Sequence, residues 1–268
     1  MKKTTISLVL LFLVYHTYAQ LKDSSTSINL GNEILDYQKI HDGNLHWMKR
    51  VWREIDINEK INLVFQYNKL PLYSIINKVV STGDLQVFSN DTIYPDELEK
   101  SLSKQEALSI GCTNYDMDIM DPESFDVMTK TISKCPTDKD IVKYRLMEDW
   151  YFDKNTSSLK VHIISIAPIM QVTNSEGIFI GYAPMYWLNF DQLRNVLVKY
   201  PVYNAKNDDS KFSWDDLFIS RTFNSLVIKE SNVFDRKIAE YATGIDAVLE
   251  GQRVDNEMLS NEHDVWSY

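Results

Sequence analysis

The chain has 268 residues, with 28 Lys plus Arg against 38 Asp plus Glu, a formal net charge of −10, and 44% hydrophobic and 12% aromatic residues. That balance belongs to a folded globular chain and excludes disordered, collagenous and low-complexity classes. The acidic excess also argues against nucleic-acid binding, which draws its affinity from clustered Lys and Arg.

Residues 1–19 read as a secretory signal peptide. Lys2 and Lys3 form a positive start, Ile6 to Tyr15 an apolar stretch, and Thr17-Tyr18-Ala19 a small-residue cleavage site before Gln20. The stretch is too short to span a bilayer, which takes about 20 residues. No Cys stands at the expected mature N-terminus and no later segment has the length and apolarity of a membrane span. Residues 20–45, with Ser24-Ser25-Thr26-Ser27, read as a polar N-terminal arm, and a folded domain is expected over 46–268.

Trp47, Val51, Trp52, Ile55 and Ile57 make an apolar, β-leaning stretch. A helix is predicted after Pro71, with Leu72, Ile75, Ile76, Val79 and Val80 on one face and Gly83 as the stop. Leu85 to Phe88 read as a short strand. Residues 91–140 hold 12 acidic against 5 basic side chains, so this stretch is expected to be an acidic excursion from the core. Asp116, Asp118 and Asp121 superficially resemble a calcium loop. The EF-hand spacing fails, because Asp121 stands where Gly is needed and Val127 where Glu is needed. Cys112 and Cys135 either stay separate or form a disulfide, which would close a loop worth about 3 kcal/mol.

Val142, Tyr144, Leu146, Trp150 and Phe152 alternate with charged positions, a half-buried strand. The turn Lys154–Ser158 leads into Leu159–Met170, apolar almost throughout and so expected to be a central strand. Glu148 lies on the apolar face of the first strand, where a carboxylate must find a partner, with Arg the default. Ile178 to Leu188 read as one further strand whose end Pro184 places at an edge. Helices are predicted from about Phe190 to Tyr200 and after the N-cap Ser213. At Phe223, Leu226 and Val227 the apolar face changes side. Phe234, Ile238, Tyr241, Ala242, Ile245, Val248 and Leu249 fall within one arc of a helix, interrupted by Gly244.

No G-x-S-x-G elbow, phosphate loop, dinucleotide fingerprint, H-E-x-x-H or C-x-x-C is present. No catalytic residue, cofactor or metal site is therefore expected. The aromatic residues, Trp150, Tyr186, Trp187, Trp214 and Trp266 among them, suit either a large core or a protein interface.

The stretches Trp52–Asp56, Glu148–Lys154 (E-D-W-Y-F-D-K), Arg221–Ser225, Lys229–Arg236 (K-E-S-N-V-F-D-R) and Glu262–Trp266 resemble, in collinear order, those of the gliding-motility GldN family, called PorN in non-gliding relatives. The resemblance implies a non-catalytic periplasmic component of the type IX protein secretion machinery. It also implies association with a GldK/PorK-like outer-membrane lipoprotein, self-assembly in a ring, and contact with the periplasmic part of a GldM/PorM-like motor protein.

The expected fold is α+β: an antiparallel hairpin-based sheet with flanking helices and a helical C-terminal third. Glu148, Trp150, Phe152, Arg221, Glu230, Arg236 and Trp266 are candidates for either fold-defining or partner-facing positions. Two other classes remain open. One is a periplasmic hydrolase or metal-dependent enzyme assembled from Glu148, His162 and Asp153; the other is a monomeric ligand-binding protein with an aromatic cleft.

Overall fold

A computed structural model of the chain describes residues 33–90, 98–120, 127–174, 178–203 and 212–265. The signal segment, most of the polar arm, Asp121 and Trp266 lie outside the described residues.

The long strand β1 (Leu45–Asp56) pairs antiparallel with β6 (Ile141–Asp153), which pairs with β7 (Ser158–Thr173). These three form the centre of an antiparallel sheet ordered β10-β1-β6-β7-β9-β2-β3. The outer strands are β2 (Val87–Phe88), β3 (Ser101–Leu102), β9 (Trp187–Asn189) and β10 (Leu226–Glu230), while β8 (Phe179–Pro184) pairs with the far end of β7. The two-residue alternation of β6 places Tyr144 opposite Ile55 and Glu148 opposite Val51, so these four side chains share one face. Between Met147/Ser165 and Glu148/Ile163 the β6–β7 register shifts, with Ile164 as the extra residue of a bulge.

One face of the sheet carries the main core. There α1 (Leu72–Thr82), α3 (Phe190–Leu197) and α4 (Trp214–Ile219) cover Ile55, Tyr144, Leu146, Ile166 and Leu188. Burying each such aliphatic side chain contributes about 1.5–3 kcal/mol. Gly83 ends α1 at φ 84, the left-handed stop its position predicts. Asn189 caps α3, and Ser213 caps α4 in a reciprocal box with Asp216. Farther along the same face α5 (Ile245–Val265) covers Val51, Trp150 and Val227 with Val254 and Met258. Gly251 sits where this helix meets β10: a Cβ there would lie 2.5 Å from the Val227 carbonyl oxygen. The opposite face is capped by a smaller cluster of Trp52, Phe88, Met147, Ala167 and Trp187.

After β3, α2 (Lys104–Ser109) leads into a ribbon of β4 (Thr113–Met120) and β5 (Val127–Lys134) that forms its own two-stranded sheet. Cys112 and Cys135 are disulfide-bonded at its base. The described residues from Ile34 onward form one compact unit by contact. Within it, the arm beyond Ile34 is tied down where Tyr37 packs on His162 at 4.2 Å and Arg194 Nη2 donates to the Leu35 carbonyl at 2.6 Å.

Two expectations need correcting. The stretch Ile178–Leu188 is two strands, because Pro184 cannot continue the ladder and the chain leaves β7 before re-entering the sheet as β9. The arc Phe234–Leu249 is not one helix. Asp235 (φ 51) and Gly244 (φ 60) turn the chain, a short 3-10 turn over Ile238–Glu240 stands between them, and α5 begins only at Ile245. The final third thus interleaves α3, α4 and α5 with β9 and β10.

Candidate functional site

A polar constellation centred on a fully buried carboxylate lies where β1, β6, the turn after α4 and α5 meet. Glu148 has no solvent exposure, although it sits on the apolar face of the sheet. Its Oε1 accepts from Arg221 Nη1 at 2.8 Å, and its Oε2 accepts from the Trp150 indole at 2.8 Å and pairs with Arg53 Nε at 3.3 Å. Arg53 reaches further, donating from Nη1 to Ser225 Oγ at 3.1 Å and from Nη2 to Asp255 of α5. The two guanidinium groups lie 5.1 and 5.0 Å from the Trp150 ring centre. The contact of buried Arg53 is worth about 2 kcal/mol and that of the partly exposed Arg221 less, about 1 kcal/mol. Arg221 sits at φ 53 in the turn that follows α4, a left-handed backbone costing roughly 1–2 kcal/mol for a non-glycine residue.

Burial lowers the Arg53 guanidinium to about 10, with Glu148 opposing that shift and Arg221 adding to it, so it stays charged at neutral pH. Two arginines and two carboxylates neutralise one another around a tryptophan, beside a cleft of about 400 Å3. None of Arg53, Glu148, Trp150, Arg221, Ser225 and Asp255 is a histidine or cysteine, and each of these side chains meets another of the set, although Arg53 Nε faces Glu148 as an ion pair without a hydrogen bond. Chemically this is a lock between sheet and helix: it fixes the position of α5 and offers no base aimed at a nucleophile.

The grouping Glu148, His162 and Asp153 is not brought together. Glu148 is bound as described, His162 Nε2 lies 3.2 Å from Asp191, and Asp153 accepts from Lys160 Nζ at 2.9 Å. The strand register sets His162 opposite Asp149, on the other face from Glu148. Among the described residues, no group of three His, Cys, Asp or Glu side chains could hold a metal ion.

Of the other candidates, Phe152 is buried and packs edge-on against His46 at 6.3 Å. Glu230 pairs with Lys49. Arg236 belongs to a second constellation, a braced turn after β10. The Asn232 amide nitrogen donates to the Glu230 and Arg236 carbonyls at 2.9 and 2.8 Å, and its oxygen accepts from the Phe234 and Arg236 amides at 3.1 and 3.0 Å. Buried Lys229 holds Asp235 at 2.8 Å and lies over Trp52 at 4.2 Å. Arg236 stacks on Phe234 at 4.6 Å and on Tyr241 at 5.7 Å.

Arg53 and Asp255 are the members of this constellation that sequence reasoning misses. The signal for Arg53 is its parity with Val51 and Ile55, a cation on the apolar face of β1 facing the carboxylate on the apolar face of β6. Asp255 gives no comparable signal, because its direction depends on where α5 begins.

Sheet, lock and braced turn define an antiparallel α+β protein whose polar side chains are spent chiefly on holding elements in place. The chain belongs to the GldN family: the model of the gliding motility associated protein GldN matches residues 40–267. No curated protein matches it. No helix among the described residues is long and apolar enough to cross a membrane.

Proposed function

We propose that this chain is a non-catalytic periplasmic component of the type IX protein secretion and gliding machinery. In this reading residues 1–19 are a cleaved signal peptide, 20–45 an arm, and 46–268 the working domain. The domain self-assembles in a ring, attached to the inner face of the outer membrane by a GldK/PorK-like lipoprotein and touching the periplasmic part of a GldM/PorM-like motor protein. The observation that carries this reading is the family match over residues 40–267. The mutual neutralisation of Glu148, Arg53, Arg221 and Asp255 adds support, since charges consumed in a lock are unavailable for turnover.

The test is a tagged full-length chain in its host, with the envelope fractionated under mild detergent. The expected result is a large particle containing the lipoprotein, with export of C-terminal-signal cargo lost when the chain is deleted. A tagged chain recovered alone from the cytosol, or cargo export unaffected by deletion, would overturn the proposal.

A further inference from the structure

We propose that residues 27–30, which precede the described part of the arm, dock as an added strand on the open outer edge of β7. Such docking is internal to one chain and independent of the assembly put forward above.

β7 is paired along one side by β6. On its other, outer side β9 takes Ser165 and Ile166, and β8 takes Ile169 to Thr173. Residues 158–164 meet no strand on that side among the described residues. An open edge presents backbone groups that recruit an extended segment unless charge guards it. Lys160, the natural guard here, is turned to Asp153 and Gln38, at 2.9 and 2.5 Å. The buried Tyr37 hydroxyl reaches the Ile163 backbone on this edge without completing a hydrogen bond.

The arm stands off from this edge and leaves a trough of about 340 Å3. Leu159 and Val161 of β7 form its floor, Leu35 and Tyr37 of the arm one wall, and Ile219 and Arg221 the other. All six side chains keep some exposure, Leu35 as much as 68%. The apolar part of the trough is therefore open to an occupant, and its length along β7 calls for an extended one.

Where the chain runs next identifies that occupant. Gln38 meets Lys160 and Tyr37 meets His162, so the arm runs antiparallel to β7 and reaches the end of the trough at Leu35. Leu30 lies five residues upstream of Leu35, at most about 17 Å of extended chain. Gly31-Asn32 between them is turn chemistry that lets the chain reverse. After that reversal Ser27-Ile28-Asn29-Leu30 runs parallel to β7, and its alternation matches the edge. Ile28 and Leu30 fall beside Leu159 and Val161, and Asn29 falls beside Lys160. A short tether also holds the segment at an effective concentration on the order of mM, which a free strand of the same pattern would have to exceed.

The experiment is disulfide trapping in the full chain purified from its host. Leu30→Cys and Val161→Cys are combined under mild oxidation; the native cysteines are bonded to each other and do not compete. The expected result is an intrachain bond between the two new cysteines, read by peptide mass spectrometry. That bond is expected to be lost when Asn29→Cys replaces Leu30→Cys, because successive side chains of a strand face opposite ways. Amide hydrogen exchange tests the same docking without new cysteines. In the unaltered chain the amides of 159–163 that do not bond to β6 are expected to be protected. Ile28→Asp with Leu30→Asp is expected to abolish that protection while β1 and β6 keep theirs. A double cysteine variant that stays unbonded, or exchange that the Asp changes leave as it was, overturns the proposal. A bond between two copies overturns it and assigns the trough to a neighbour's segment; a bond to a different protein overturns it and assigns the trough to that partner.

Discussion

Glu148 concentrates the residue-scale argument. A carboxylate without solvent exposure is tolerable only because Arg53, Arg221 and the Trp150 indole surround it. Glu148→Ala leaves Arg53, whose side chain is 5% exposed, without its main counter-charge. The expected loss is about 3–5 kcal/mol, read as a lower urea midpoint at unchanged slope. Adding Arg221→Ala is expected to cost less than the sum of the single changes, because the two share one interaction. Trp150→Ala removes the ring both guanidinium groups stack on, for a similar loss of about 3–5 kcal/mol. The need for an arginine near Glu148 is legible in the sequence, since the alternation of β6 puts a charge among apolar positions. Arg53 carries a signal in its parity on β1, but Arg221 does not: it arrives from a turn 73 residues away, and no local pattern encodes that meeting.

Among the elements, α5 and the β4–β5 ribbon make contrasting cases. Glycine in a helix interior costs about 1 kcal/mol relative to alanine, so Gly251→Ala would stabilise α5 in isolation. In the fold the added methyl meets the Val227 carbonyl oxygen and the Leu226 side chain. The expected outcome is net destabilisation, measured as a lower melting temperature. The ribbon is clamped by Cys112–Cys135 and pairs with no other strand among the described residues. Reduction removes a constraint worth about 3 kcal/mol. Its expected effect is confined to the ribbon, with faster amide exchange across β4 and β5 and unchanged protection in β1, β6 and β7.

Elements with an unbroken period, such as α1 and β6, are legible from the sequence because their own side chains decide the pattern. The arc Phe234–Leu249 misleads for the converse reason. Its spacing is helical, but Asn232 and the left-handed Asp235 and Gly244 close a turn that periodicity alone does not register. The side chains read as a buried stripe therefore stand largely in solvent.

For the whole molecule, acid is the informative stress. Lys160 holds the Asp153 carboxyl down from an ordinary 3.8 to about 2. Burial pushes the Glu54 carboxyl up, but Arg145 and Lys143 outweigh it and leave it below its ordinary value. Both folded values lie below the unfolded ones, so both contributions are fully present at neutral pH and fade as the carboxyls protonate. Stability is expected to fall between about pH 5 and pH 2, with urea midpoints against pH as the measurement. Lys160→Met should flatten the lower part of that profile.

The order of strands has one further consequence. β10 closes the outer edge of β1, yet some 170 residues of chain intervene between Glu54 and its partner Leu226. As the polypeptide emerges from its N-terminus, β1 and β6 can pair while that edge still lacks its last neighbour. An open edge is a template for aggregation. A nascent chain stopped short of β10 is thus the most vulnerable intermediate, and an escorting holdase would have its greatest value in that interval.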